Sequence, residues 1–182
     1  MLEIPGTLSL RLSNNDKWNA MLGRMSESPN VFEDGFELTS GCSWGKFKEE
    51  AARHCSVNKL LFVNIFWNKF AYRADDGDHW ASPYEFVQAR GGDCEDFAIA
   101  KYFTLLNLGV PEEDLGLLMV RDERSGKGHA VLLARYEGSD YVLDNVKNGL
   151  TRLSGITQYQ PLLLITGGKA MALLRKPGTA TA

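Results

Sequence analysis

Long apolar runs and basic blocks are both missing from the sequence. No apolar stretch approaches the roughly 18 residues of a membrane-spanning helix, so we expect no membrane span in this chain. The net charge is -3 and the pI is near 5.6, which gives no reason to expect nucleic acid as a partner. The start, MLEIPG, also lacks the basic and apolar regions of a signal peptide. The chain is therefore expected to be cytosolic, or to be a mature or trimmed form of a longer protein.

Cysteine is scarce and odd in number. The three residues are Cys42, Cys55 and Cys94, and none of them forms the short Cys-x-x-Cys spacing of a structural zinc site. In an oxidising compartment Cys42 and Cys55 could form a disulfide and leave Cys94 free. Buried free cysteine is common, however, and is the interpretation we favour.

Helical patterns fill the first half of the chain. The length of 182 residues and the hydrophobic content of 44% are ordinary for a globular protein and favour a single domain over residues 1–182. The predicted helices are one capped by Asn15 or Asp16, a long stretch over 44–70 that breaks near 54–56 with Ser56 as a cap, and a short one over 83–90 with Ser82 as its cap. Residues 29–43 and 72–82 are predicted to be loops.

Strand patterns fill the second half, after a helix that begins at Cys94. The predicted strands are 115–120, 130–136, 141–143 and 162–165, with a hairpin turn over 137–140. The tail over 176–182 is expected to fray. Helices followed by antiparallel strands predict an α+β fold in which N-terminal helices pack on a C-terminal antiparallel sheet.

The run over 91–100, GGDCEDFAIA, is the most informative segment. A tight Gly-Gly turn delivers Cys94 to the first turn of an apolar helix, where the positive end of the helix dipole is expected to lower the pKa of the thiol. His129 opens one predicted strand and Asp144 ends the next, so the hairpin brings them together. A cysteine, a histidine and an aspartate in this arrangement can act as nucleophile, base and orienting group.

Each of these residues has an ordinary structural alternative. Cys94 alone would suit a small core position, His129 a strand and Asp144 a turn. The acidic neighbours of Cys94 argue against a core position, and the three residues together favour catalysis. For the oxyanion we expect the backbone N–H of Cys94 and the indole N–H of Trp80 or Trp67 as donors. Trp80 is also our candidate for a wall of the substrate groove, with core packing as the alternative.

The acidic residues around Cys94 pose an electrostatic problem. Carboxylates at Asp93, Glu95 and Asp96 should raise the pKa of the thiol and oppose thiolate formation. One explanation is helix capping, with Asp93 as the cap and the other two carboxylates favoured by the helix dipole. The other is a hard cation such as Ca²⁺, which would neutralise the charge. The two explanations are compatible.

Four segments together resemble the bacterial transglutaminase-like cysteine proteinases, and more narrowly the LapG-type periplasmic proteases. They are WASPYEF at 80–86, GGDCEDFA at 91–98, HAV at 129–131 and LDN at 143–145, and the resemblance covers about 44–166. It implies a papain-like/transglutaminase-like fold with Cys94, His129 and Asp144 as the catalytic triad.

The resemblance also implies a metal requirement, a substrate, a regulatory partner and a cellular location. Calcium would be required and would be bound by Asp93 and Glu95. The substrate would be a large surface adhesin, cut in its N-terminal region after a di-alanine element to release cells from a biofilm. The periplasmic domain of an inner-membrane cyclic-di-GMP receptor would sequester the protease in the periplasm, and the missing signal peptide would mean that the sequence is a mature form. The alternatives are a transglutaminase-type acyltransferase, an inactive binding module on the same fold, or a Cys/His/Asp zinc site.

Overall fold

A computed structural model describes residues 2–55, 57–75, 77 and 79–176 of the chain. Ser56, predicted as a helix cap, and residues 177–182 of the tail predicted to fray lie outside the described residues. In the part of the chain that is described, no helix is long and apolar enough to cross a membrane.

The helices lie in the first 107 residues and most strands of the main sheet follow them. The helices are α1 (Asp16–Glu27), α2 (Trp44–Ala52), α3 (Val57–Trp67), α4 (Pro83–Ala89) and α5 (Cys94–Asn107). The strands are β1 (Thr7–Arg11), β2 (Glu37–Thr39), β3 (Cys42–Ser43), β4 (Ala71–Tyr72), β5 (Gly91–Gly92), β6 (Leu115–Asp122), β7 (Gly128–Tyr136), β8 (Ser139–Leu143), β9 (Thr151–Arg152), β10 (Tyr159–Thr166) and β11 (Lys169–Arg175).

The main sheet has seven antiparallel strands in the order β1-β11-β10-β6-β7-β8-β9. Two short pairs lie outside it: β2 with β3 is antiparallel, and β4 with β5 is parallel. The prediction of an α+β fold with helices against an antiparallel sheet is confirmed.

Helix α5 joins the helices to the sheet. It is buried along nearly its whole length, from Glu95 to Leu105, and packs on the central strands β6 and β7. An apolar pattern on all sides of a helix is typical of such a buried position. The opposite face of the sheet buries a second, smaller cluster that includes Leu118, Val131 and Leu164 together with Leu2 and Ile4. Because Cys94 begins α5, the nucleophile candidate stands on the most firmly held element of the fold.

The local helix predictions are confirmed by their caps. The Asn15 side chain accepts a hydrogen bond of 2.9 Å from the N–H of Trp18. Ser82 and Glu85 form a reciprocal capping box at the start of α4. The predicted long helical stretch is broken between Ala52 and Val57, as expected.

Two predictions about loops and strands are wrong. The loop predicted over 29–43 contains the β2–β3 hairpin, whose strands of three and two residues are too short to show a period. The edge strand β1 and its partner β11 were not predicted. They pair with each other, with Leu8 opposite Leu174. Residues 7–12, TLSLRL, alternate polar and apolar residues as a strand does, so β1 has a local signal that the prediction did not use.

Candidate active site

Two glycines form the approach to Cys94, and both positions exclude a side chain. Gly91 has a φ of +148°, and a Cβ there would lie 2.0 Å from the carbonyl oxygen of Ala71. A Cβ on Gly92 would lie 2.3 Å from Oδ2 of the buried Asp96. Because neither obstacle can move freely, glycine is required at both positions. The turn can then pair with β4 and lead directly into α5.

Asp96 fixes the start of α5. Its Oδ1 accepts a hydrogen bond of 2.6 Å from the N–H of Ala81, and its Oδ2 accepts one of 3.2 Å from the N–H of Asp93. Burial raises the pKa of Asp96 to about 6, although the two N–H donors lower it. The carboxyl therefore ties the segment before α4 to the N-terminus of α5.

Cys94 is half-buried and donates its thiol hydrogen to Glu95, with 3.1 Å between Sγ and Oε2. Burial raises the pKa of the thiol, and the hydrogen bond and charge of Glu95 raise it further. The backbone N–H of Ala130 lowers it by less. The expectation that the helix dipole would give a low thiol pKa is therefore wrong for this arrangement, because burial and Glu95 outweigh the dipole.

His129 and Asp144 are brought together as the sequence predicted. The last rungs of the β7–β8 ladder pair Leu132 with Leu143, and just beyond them the Nε2 of His129 lies 2.9 Å from Oδ1 of Asp144. Asp144 is only 3% exposed. Burial raises its pKa, but hydrogen bonds and charge from His129, with Tyr159 and Val146 as further donors, hold the pKa of Asp144 below its usual value. With Nε2 directed at Asp144, Nδ1 is the ring nitrogen left to receive a proton.

Cys94 begins α5, which packs on β7, the strand that carries His129. The backbone N–H of Ala130, the residue that follows His129, acts on the pKa of the Cys94 thiol. Among the described residues the thiol donates to Glu95, and no hydrogen bond joins it to His129. Catalytic hydrogen bonds are often loose in a protein without substrate and tighten in the complex. The structure therefore pairs His129 with Asp144 and places the helix of Cys94 against the strand of His129, without a nucleophile–base hydrogen bond.

Two contributors to the site were not found from the sequence. The Tyr159 hydroxyl donates to Oδ2 of Asp144 at 2.8 Å, and its ring centroid lies 5.5 Å from that of His129. Asn68 on the segment after α3 donates to the carbonyl oxygens of Asp144 (2.9 Å) and Lys147 (3.1 Å), which holds the loop that follows β8. Neither residue belongs to a motif, and both reach the site only through the tertiary fold.

The two tryptophans proposed as oxyanion donors differ. Trp67 is fully buried and its Nε1–H donates to Oγ1 of Thr104 at 2.9 Å, so it is committed to the core. Trp80 is 4% exposed, which supports core packing, the stated alternative, over a groove wall. The buried Nε1–H of Trp80 has no partner in the described residues and so remains the available donor.

The other cysteines and histidines lie outside this arrangement. Cys42 and Cys55 are free thiols in the structure, as expected, but neither is buried: Cys42 is half-buried and Cys55 is exposed. His54 is partly exposed and His79 is exposed.

The acidic pair beside Cys94 fits a cation. Asp93 takes the N-cap position of α5 as predicted, but its buried Oδ1 has no hydrogen-bond partner in the described part of the chain. Burial, a hydrogen bond with Glu95 and the charge of Glu95 raise the pKa of Asp93 to about 8. An orphaned carboxylate oxygen beside a second buried carboxylate matches the oxygen ligands that Ca²⁺ takes. Within the described ranges, no group of three or more His, Cys, Asp and Glu side chains is arranged to hold a metal ion.

An α+β domain with a cysteine at the start of a buried helix and a His–Asp pair on the adjoining strands defines a papain-like type of cysteine hydrolase. The family model of the bacterial transglutaminase-like cysteine proteinases matches residues 37–163, and the chain belongs to this family. No curated protein sequence matches the chain.

Solved structures of LapG from Legionella pneumophila are similar to the protein. One is 27% identical with a TM-score of 0.66, and the match covers 85% of this chain and 86% of that one. The calcium-bound LapG is 26% identical with a TM-score of 0.67, over 90% and 92% of the two chains. An EGTA-treated LapG is 28% identical with a TM-score of 0.57, over 72% of this chain and 87% of that one. The protein is thus a LapG-like cysteine proteinase by fold and family.

Proposed function

We propose that the protein is a calcium-dependent cysteine endopeptidase in which Cys94 is the nucleophile, His129 the base and Asp144 the orienting group. The observation that carries this proposal is the buried His129–Asp144 pair at 2.9 Å, whose histidine lies on β7, a strand against which α5, the helix that Cys94 begins, is packed. Nucleophile, base and orienting group then stand in the sequence that covalent catalysis needs.

The reaction follows from these positions. Nδ1 of His129 takes the thiol proton, and the Cys94 sulfur forms a bond to the carbonyl carbon of the scissile peptide. The C–N bond breaks as the imidazolium returns its proton to the leaving amine, which leaves an acyl-enzyme. His129 then deprotonates a water that attacks the acyl carbon. The C–S bond breaks to release the carboxylic acid, and the proton passes from the imidazolium back to the sulfur. Asp144 keeps the His129 ring oriented and stabilises the imidazolium during both acylation and deacylation.

The oxyanion of both tetrahedral intermediates needs donors that are already in place. The backbone N–H of Cys94 at the start of α5 is one, and the unpartnered indole N–H of Trp80 is our candidate for the other. Because Trp80 is buried, its ring could hold this donor without a large loss of side-chain freedom on binding.

Asp93 and Glu95 are the residues that would hold calcium. When bound there, Ca²⁺ would supply positive charge beside the site and offset two carboxylates that otherwise oppose the thiolate. Support comes from the orphaned Oδ1 of Asp93 and from the calcium-bound form of the similar LapG. With Glu95 engaged as a ligand, the thiol of Cys94 would lose its present acceptor and be free to turn to His129.

The similarity to LapG supports a biological assignment for the same site. We propose a large surface adhesin as the substrate, cut in its N-terminal region near a di-alanine element so that cells leave a biofilm. We further propose a periplasmic location and regulation by the periplasmic domain of an inner-membrane cyclic-di-GMP receptor. An endopeptidase that acts on a folded surface protein would need the segment to be extended and accessible.

A cleavage assay tests this proposal. Purified protein is incubated with the N-terminal segment of a large bacterial adhesin that contains a di-alanine element, in calcium and in excess EGTA, with Cys94→Ala as the matched control. We expect one cut in calcium, none in EGTA, and none with the variant. Mass spectrometry in the presence of an added amine separates hydrolysis from acyl transfer. Cleavage that persists with Cys94→Ala would remove the thiol from the mechanism.

A further inference from the structure

Strand β4 lies directly beside the nucleophile. It pairs in parallel with β5, and Tyr72 stands opposite Gly92, two residues before Cys94. Partial burial, then the charges of Cys94, Asp93 and Glu95, raise the pKa of the Tyr72 phenol. Tyr72 is nevertheless 60% exposed. An exposed aromatic residue therefore lies opposite the turn that leads to the thiol.

The backbone of β4 has one free edge. The N–H of Ala71 donates to the carbonyl of Arg90 at 3.3 Å, and the N–H of Arg73 donates to that of Gly92 at 2.7 Å. In a strand, successive residues direct their N–H and C=O groups to opposite edges, so those of Tyr72 point away from β5. Neither group of Tyr72 has a partner among the described residues. An unpaired N–H and C=O at an exposed strand are a template for another extended chain.

The free edge is held rigidly to the nucleophile. The carbonyl of Ala71 approaches Gly91 so closely that a Cβ would lie 2.0 Å from it. Ala71 also borders an open groove of about 1070 Å³, whose partly buried aromatic lining includes Phe62 and Phe70. The edge therefore adjoins both the reacting thiol and a space that side chains of a longer segment could fill.

We propose that the free edge of β4 is a substrate-binding site: the N–H and C=O of Tyr72 pair with the main chain of an extended polypeptide, and the Tyr72 ring packs on one of its side chains. An endopeptidase must hold its substrate extended, and addition of a strand provides affinity from backbone hydrogen bonds while side-chain contacts give specificity. This inference rests on the proposed endopeptidase function and identifies how that site takes its substrate.

Two variants of Tyr72 separate the contribution of its backbone N–H to substrate binding from that of its ring. Tyr72→Ala removes the ring and keeps the N–H, whereas Tyr72→Pro also removes an N–H that no internal hydrogen bond uses. Proline is tolerated at such an edge position. For polypeptide cleavage we expect Tyr72→Pro to have a kcat/KM about fivefold below that of Tyr72→Ala, chiefly through KM, as the loss of one backbone hydrogen bond predicts. Alkylation of Cys94 by iodoacetamide, a reagent too small to use the edge, should be equal in the two variants.

A second measurement uses the unmodified protein, in case proline disturbs the fold. A peptide that the wild type cleaves is N-methylated at one residue at a time on each side of the scissile bond. One position should lose about fivefold or more in kcat/KM, because its N–H can no longer reach the C=O of Tyr72. Equal cleavage rates for Tyr72→Pro and Tyr72→Ala, with no sensitive N-methyl position, would refute the binding of substrate at the β4 edge but not the endopeptidase function. A wild-type protein that cleaves no polypeptide would refute both proposals.

Discussion

Removing the Tyr159 hydroxyl should weaken catalysis without touching any of the three reacting residues. Tyr159→Phe keeps the ring that lies 5.5 Å from His129 and deletes the donor 2.8 Å from Oδ2 of Asp144. Asp144 then keeps only its contacts through Oδ1, to His129 and to the N–H of Val146. Its carboxyl plane is less firmly fixed, and so is the imidazole that it orients.

The magnitude follows from the hydrogen bond that is lost. A hydrogen bond to a charged group contributes about 1.5–3 kcal/mol, and since Tyr159 is half-buried, water can replace part of it. We therefore expect about 1.4 kcal/mol, equivalent to a rise of about one unit in the pKa of Asp144. The pKa of Asp144 lies below its usual value in the folded protein, so its charge stabilises the fold above about pH 4 and that stability is lost as the pH falls through the depressed pKa. The stability difference between wild type and Tyr159→Phe should therefore be full at pH 7 and shrink in acid.

The matched control is Tyr102→Phe. Tyr102 also donates to a carboxylate, with 3.0 Å between its hydroxyl and Oε1 of Glu112, but this pair is remote from His129 and Asp144. Both variants lose one tyrosine hydroxyl and one hydrogen bond. Urea unfolding at several pH values and the pH profile of peptide cleavage are measured for both. For Tyr159→Phe we expect kcat to fall up to about tenfold and KM to stay constant. The acid limb of the pH profile of cleavage should move to higher pH.

The control should keep the wild-type kcat and acid limb. If both variants lost stability alike and neither altered kcat or the acid limb, then Tyr159 would only support the fold, and the positioning role argued here would be refuted.

Three further predictions concern the remaining parts of the site. Asp144→Asn should lower kcat by several orders of magnitude, since it disturbs the imidazole tautomer and its orientation, and should lower the melting temperature at pH 7, since the charge that His129 and Tyr159 stabilise is lost. Kinetics of peptide cleavage well below the melting temperature, with thermal melting as the control, check this. Trp80→Ala should destabilise the protein by about 3–5 kcal/mol because the ring is buried, and calorimetry that showed no loss would return Trp80 to the groove wall. In EGTA, Glu95→Gln should be alkylated at Cys94 faster than the wild type, because the charged acceptor of the thiol is gone, whereas in calcium it should cleave substrate more slowly because a metal ligand is gone. Undiminished cleavage by wild type in excess EGTA would instead reduce Asp93 and Glu95 to helix capping.

The parts of the site that the sequence predicted are those set by short-range structure. Glycines at 91 and 92 followed by an apolar helix place Cys94 at a helix start, and a hairpin brings His129 next to Asp144. Caps such as Asn15 and Ser82 are equally local, since a side chain bonds an N–H three residues away. These features require no knowledge of the rest of the chain.

What the sequence missed depends on contacts between distant segments. Tyr159 enters the site from β10, and Asn68 from the segment after α3, beyond the reach of any motif. The edge strand β1 was missed for a different reason, since the alternating pattern TLSLRL over 7–12 was not used. The roles of Trp67, at the end of an apolar helix, and Trp80, after an acidic loop, were left open because only the fold shows that Trp67 has a hydrogen-bond partner.

The thiol shows most clearly why physical reasoning from sequence stopped short. The sequence supplied two opposing effects on Cys94, the helix dipole and the adjacent carboxylates, without their distances or burial. A helix terminus contributes about 0.3–1 kcal/mol, up to about 2 in favourable cases. The Glu95 carboxylate oxygen lies 3.1 Å from the half-buried Cys94 sulfur, and the buried Asp93 lies in the same site. Their effect on the thiol pKa is opposite to that of the helix dipole, and larger. In this arrangement the thiol donates to Glu95, and burial together with that carboxylate raises its pKa. If calcium binds at Asp93 and Glu95, as proposed, its removal would restore the opposing charge beside Cys94, and loss of activity on chelation would need no change of fold.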